Sequence, residues 1–183
     1  MDIITKEYSF PSVTGLSDIY AKSWAPADGR VLAVFQILHG MAEHIVRYEP
    51  FASYLCSRGF AVFANDHIGH GKSTADTESL GYFGEEDGWK AFACDAKQLT
   101  ELARKEYPGV PVILFGHSMG SFVARYYTEL YGSEINGAIY CGTSGENPAA
   151  GLAVGLSNFV AKRKGSHYRS EFINRLAFGA YNK

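Results

Sequence analysis

The sequence predicts an α/β protein built on a mostly parallel sheet with helices on both faces. Three observations predict it. Apolar runs rich in branched residues recur at 31–40, 60–66, 110–116 and 135–142, as strands buried on both sides do. The segments between them carry apolar residues at helical spacing, and strands alternating with helices of this length form βαβ units. The run at 110–116 also passes straight into a helix through Gly116-His117-Ser118-Met119-Gly120.

Taken in order, "KEYSFP" and "DIYAKSWAP" read as short strands with partial alternation, the second closed by Pro26. "VLAVFQILHG" follows as the first buried strand. "RYEPFASYLCSRG" places Tyr48, Phe51, Tyr54 and Leu55 at helical spacing, with Gly59 where the helix stops. "FAVFAND" is the second buried strand. "DGWKAFACDAKQLTELARKEYPG" sets Trp89, Phe92, Ala96, Leu99 and Leu102 on one face and ends before Pro108. "VPVILFG" and "INGAIYCG" give the third and fourth buried strands. Beyond residue 147 the pattern becomes two short amphipathic helices, "PAAGLAVGLSNFVAKRKG" and "SEFINRLAFGAYNK", with no strand between them. The chain therefore divides at 1–147 and 148–183.

Composition excludes several classes. The 183 residues, 46% hydrophobic and 20% charged, suffice for one domain with a sizeable core. Lys plus Arg number 17 against 19 Asp plus Glu, which leaves no electrostatic footprint for nucleic acid. "MDIITKEYSF" shows no charged segment followed by an apolar one, so no secretory signal is expected. No apolar stretch approaches the roughly 20 residues of a membrane span. Cys56, Cys94 and Cys141 are odd in number and far apart. Each reads as a small buried hydrophobe, without disulfide or zinc site, and the expected compartment is the cytoplasm. His67 and His70 in "DHIGHGKS" have no supporting ligand cluster, so neither metal nor cofactor is expected.

The serine between glycines carries the chemistry. A strand that reverses into a helix within a few residues crowds its neighbours, so Gly116 and Gly120 stand where a Cβ would collide. Ser118 then projects from the tip above the strand ends, and the N–H of Met119, at the start of the following helix, points where an oxyanion forms. The bland alternative is a structural glycine turn. "LHGMAEH" at 38–44 argues against it, because a second oxyanion donor comes from the loop after the first buried strand. Here that donor is the N–H of Met41, after the turn at Gly40. His39 reads as a positioned structural side chain rather than a base.

Three blocks together carry a resemblance: H-G-x-x-E-H around Gly40, D-H-x-G-H-G-x-S from Asp66 to Ser73, and G-H-S-M-G from Gly116 to Gly120. They resemble the serine α/β-hydrolases of the monoacylglycerol lipase and lysophospholipase branch. The resemblance implies an α/β-hydrolase fold and hydrolysis of a small acyl ester or lipid through an acyl-serine intermediate. It assigns Ser118 as nucleophile and the Met41 and Met119 N–H groups as oxyanion hole. Residues from 148 onward would begin the helical cap. There Leu152, Val154, Leu156, Phe159 and Val160 would line an acyl entrance, and Lys162, Arg163 and Lys164 would touch lipid headgroups. Plain packing of cap helices with a solvated basic end is the alternative.

The family order is serine, then acid, then histidine. Downstream of Ser118 the sequence holds no aspartate, one histidine (His167) and four glutamates: Glu129, Glu134, Glu146 and Glu171. Glu146 and His167 stand in the right order as a substitute acid and base, but His167 falls between the two cap helices. The expectation is therefore an N-terminal portion of the fold, truncated before its last two strands. Such a portion would have little activity alone and would expose an apolar edge at 135–142 for self-association. A catalytically silent fragment or binding module is one competing reading. A peptidase or thioesterase on the same elbow is the other.

Overall fold

In the computed structural model, which describes residues 2–85, 87–146, 148 and 150–178, six strands form one sheet ordered β1-β2-β4-β3-β5-β6. The strands are β1 (Ile3–Pro11), β2 (Asp18–Pro26), β3 (Ala33–Leu38), β4 (Phe60–Asn65), β5 (Val112–His117) and β6 (Gly137–Cys141). The first two pair antiparallel, and β2 also runs antiparallel to β4. From β4 through β3 and β5 to β6 every pairing is parallel.

Side-chain alternation assigns the faces. Phe35 and Ile37 of β3, with Val62 and Ala64 of β4, pack on Ala52, Leu55 and Cys56 of α1 (Glu49–Cys56). Val34, Ala61, Phe63 and Val112 face the other way, onto Leu99 and Ala103 of α2 (Gly88–Glu106). Leu38 and Leu114 share that side with Phe92, Ala93 and Ala96 of α2 and with Val123, Ala124 and Tyr127 of α3 (Met119–Tyr131). One polar cluster crosses this layer. Thr100 donates to Gln36 Oε1 at 2.7 Å, Gln36 donates to the Ala96 carbonyl at 2.8 Å, and Thr100 pairs with the Tyr127 hydroxyl at 2.8 Å. Its members satisfy one another, as buried polar groups must.

Three expectations need correction. The segment 135–142 is not a fully buried strand: β6 is half-buried to exposed along its length, because among the described residues it pairs only with β5. Only Cys56 is a buried hydrophobe, Cys94 being half-buried and Cys141 exposed. Phe51, Tyr54 and Trp89 are exposed rather than core; the core faces are filled by Ala52, Leu55 and Cys56 in α1 and by Phe92, Ala96, Leu99 and Ala103 in α2.

The chain forms two compact units, Met1–Thr143 and Ser144–Lys183. The second contains α4 (Ala150–Lys164) and α5 (Glu171–Phe178). The expected division at residue 147 and the end of "SEFINRLAFGAYNK" lie outside the described residues. In α4 no residue is buried and its apolar residues follow no single stripe, unlike the amphipathic helix expected there.

Candidate active site

Ser118 occupies the single residue between β5 and α3. It is exposed, and its backbone sits at φ 51, ψ −118, a conformation that costs a non-glycine residue about 1–3 kcal/mol. The surroundings enforce it. The Ser118 N–H donates to the Cys141 carbonyl at 2.9 Å, and the Ser118 carbonyl accepts the Ser121 N–H at 2.9 Å and its hydroxyl at 2.6 Å. A Cβ on Gly116 would lie 2.2 Å from the Gly120 carbonyl oxygen, and one on Gly120 would lie 2.1 Å from that of Leu38. Both glycines are therefore obligatory, and the elbow is wedged against the end of β3.

The loop after β3 meets the elbow directly. A Cβ on Gly40 would stand 3.3 Å from Ser118 Cβ. Met41, the next residue, is exposed, and Ala42 adopts φ 56. Both backbone polar groups of Gly40 are tied down by hydrogen bonds. The Gly40 carbonyl accepts from His39 Nδ1 at 2.7 Å, and the Gly40 N–H donates to Glu43 Oε2 at 2.9 Å. His39 Nε2 accepts the His67 N–H at 2.9 Å, which fixes the neutral tautomer with its proton on Nδ1. Burial holds His39 down to about 4, so the ring stays uncharged at neutral pH. It is a structural side chain, as its place in the sequence indicates.

The motif from Asp66 to Ser73 supports this floor. Asp66 accepts the Ile45 N–H at 2.7 Å and the Lys72 N–H at 2.8 Å, and Ser73 donates to the Asp66 carbonyl at 2.7 Å. A Cβ on Gly71 would lie 2.1 Å from the Asp66 carboxylate, so glycine there lets the loop close. His67 and His70 stack in the interior with His39, ring centroids 4.2 and 5.3 Å from it. No group of three or more metal-binding side chains occurs among the described residues.

His117, next to Ser118, turns toward Tyr48 (3.2 Å) and Glu43 (3.5 Å). Glu43 Oε2 also accepts the Tyr48 hydroxyl at 2.7 Å. This network carried no role in the sequence beyond Glu43's place in H-G-x-x-E-H; an acid four residues before Arg47 and five before Tyr48 was the available signal. Among the described residues no side chain hydrogen-bonds the Ser118 hydroxyl. Glu146 and His167 belong to the second unit, in which Glu146 is exposed and precedes α4, and His167 is exposed between α4 and α5.

A strained serine on a strand–helix elbow, with a second backbone loop abutting it, defines a serine α/β-hydrolase. The chain belongs to that class through the hydrolase family described as serine aminopeptidase, S33, whose model matches residues 29–173. It falls in the monoacylglycerol lipase-like branch. It is 40% identical over 106 residues to a monoglyceride lipase homolog of Monkeypox virus, covering 58% of this chain and 36% of the viral protein. It is 33% identical over 136 residues to a monoacylglycerol lipase of Mycolicibacterium smegmatis, covering 74% of this chain and 46% of that one. Among solved structures, a thermostable carboxyl esterase from Bacillus coagulans in complex with glycerol superposes with a TM-score of 0.78 at 33% identity. That match covers 87% of this chain and 51% of the esterase. The chain thus spans between a third and a half of these curated relatives.

Proposed function

We propose that the chain carries the nucleophile half of a serine ester hydrolase of the monoacylglycerol lipase or lysophospholipase type, acting on a small acyl ester or lipid. The observation that carries the reading is the exposed, strained Ser118 held against Gly40. Ser118 Oγ bonds to the acyl carbonyl carbon while its proton passes to a general base. The carbonyl oxygen gathers negative charge between the N–H groups of Met41 and Met119. The C–O bond to the alcohol then breaks, the alcohol leaves with a proton, and water hydrolyses the acyl-serine by the same route. Each backbone donor is worth about 10²–10³ in rate. The relatives' printed names, lipases and an esterase, support ester over peptide substrates, although the family description names an aminopeptidase.

Further partners follow from surface chemistry. Lys162, Arg163 and Lys164 at the end of α4, with exposed Leu152, Val154 and Phe159, support peripheral contact with a lipid surface. The outer edge of β6, with exposed Ile139 and Tyr140, supports self-association. The unpaired thiols of Cys56, Cys94 and Cys141 support a reducing, cytoplasmic setting. No described helix is long and apolar enough to cross a membrane.

The test is labelling by a fluorophosphonate probe, mapped by peptide mass. Slow modification over hours is expected at Ser118 and absent in S118A, because a serine hydroxyl without a hydrogen-bonded base is a weak nucleophile. Labelling in E146A and H167A is expected to match the wild type; a hundredfold drop in either would make that residue part of the machinery. No adduct on Ser118 at any probe concentration would end the hydrolase reading. A panel of monoacylglycerols, lysophospholipids, p-nitrophenyl esters and aminoacyl anilides then separates lipase, esterase and peptidase.

A further inference from the structure

We infer that Glu43 is a positioning residue that, opposite His39, pins the two peptide units flanking Gly40 and so aims the Met41 N–H at the reacting oxygen. The inference rests on the ester-hydrolase reading of Ser118 and assigns a role to a side chain outside the nucleophile and the two backbone donors.

The geometry is specific. Glycine has the widest backbone freedom of any residue, so a donor carried on the peptide after Gly40 wanders unless both neighbouring planes are held. The plane after Gly40 is held at its carbonyl by His39 Nδ1 at 2.7 Å. In a trans peptide the N–H points opposite to the C=O, so this bond turns the Met41 N–H away from the buried imidazoles. The plane before Gly40 is held at its N–H by Glu43 Oε2 at 2.9 Å. Ala42, at φ 56, folds the chain back so that a side chain only three residues on reaches that N–H. With both planes fixed, neither Gly40 torsion is free to swing.

The carboxylate is itself anchored by three side chains. Tyr48 donates to the same oxygen at 2.7 Å, Arg47 stands 3.4 Å from the other, and His117 lies 3.5 Å away at the end of β5. Only a tenth of the Glu43 side chain is exposed. Burial alone would raise its pKa; the hydrogen bonds from Tyr48 and Gly40 and the attraction of His117 and Arg47 outweigh it, and the group sits below the ordinary glutamate range. It therefore remains ionised wherever the neutral-pH chemistry operates. Because His117 precedes the nucleophile, the same carboxylate bridges the oxyanion loop and the elbow, keeping donor and Ser118 in register.

Two measurements on the full 183-residue chain test this. In amide NMR the Gly40 resonance is expected to follow a titration with a midpoint below that of ordinary glutamate, and to lose it in E43Q, which still offers an acceptor oxygen but no charge. In parallel, fluorophosphonate labelling of Ser118 is expected to slow at least tenfold in E43A, with E43Q recovering most of the rate and both variants keeping the wild-type melting transition within a few degrees. A Gly40 amide indifferent to Glu43, or E43A labelling at the wild-type rate, would overturn the inference while leaving the hydrolase reading intact. If the wild type takes no label, the hydrolase reading fails instead, and the Gly40 titration still decides whether the clamp exists.

Discussion

Ser118 shows most sharply how function is charged to one residue. Its φ of 51 is a conformation that glycine adopts freely and serine does not. The fold tolerates the strain because the Ser121 and Cys141 contacts and the two flanking glycines leave no other path. S118G is accordingly expected to be more stable than the wild type by about 1 kcal/mol, raising Tm by roughly 2–4 °C, while accepting no label. Calorimetry on the two chains checks it, and an unchanged or lowered Tm would show that the backbone there is unstrained. The glycine spacing made this corner readable in sequence, since the demand for a missing Cβ is local. Glu43 was not readable in the same way. Its partners Gly40 and Tyr48 are near in sequence, but its third neighbour, His117, arrives only when β3 and β5 pair, and no periodicity encodes that.

At the scale of elements, legibility depended on what each segment packs against. The runs that became β3, β4 and β5 are flanked by strands on both sides and covered by helices, so continuous apolarity marked them well. β6 has the same composition but one paired edge among the described residues, and its exposure came from topology rather than from its own residues. The helix faces erred for a related reason. Large aromatics such as Phe51, Tyr54 and Trp89 read as core, whereas the buried faces of the helices carry Ala52, Leu55 and Cys56 in α1 and Phe92, Ala96, Leu99 and Ala103 in α2. Among the described residues no strand lies beyond β6, Ile139 and Tyr140 are exposed on it, and such an edge favours pairing with another chain. Concentration-dependent association is therefore expected by sedimentation velocity at tens of micromolar, and I139K is expected to shift the chain toward monomer without lowering its Tm. Identical sedimentation of the two proteins would show that this edge is not the contact.

For the molecule as a whole, the interior behind the loop at Gly40 sets the response to acid. His39, His67 and His70 are all buried; His67 and His70 pack on Phe92, and His39 packs on His67. Burial is the first cause that lowers each: His39 to about 4, His67 well below its ordinary 6.5, and His70 in the same direction. The unfolded chain therefore binds these protons before the folded one does, and stability must rise with pH across the interval. Their contribution is complete above about 6.5 and is lost as pH falls toward about 4. Each imidazole that stays neutral in the fold while it charges in the unfolded chain adds at most about 1.4 kcal/mol per pH unit to that slope. Asp66 and Asp95, raised chiefly by burial, run the other way, favouring the fold as pH falls and opposing the histidines. Protonating His39 would also replace the acceptor that the His67 N–H uses, so the loss begins at the loop that carries Met41. Thermal unfolding followed by circular dichroism from pH 7.5 down to 4.5 is expected to show Tm falling steeply below about 6.5. H70Q, which removes one of the three titrating rings, is expected to flatten that dependence. A Tm equal at pH 5 and pH 7 would mean that these imidazoles are already charged in the folded chain, and the neutral packing behind Gly40 would have to be abandoned.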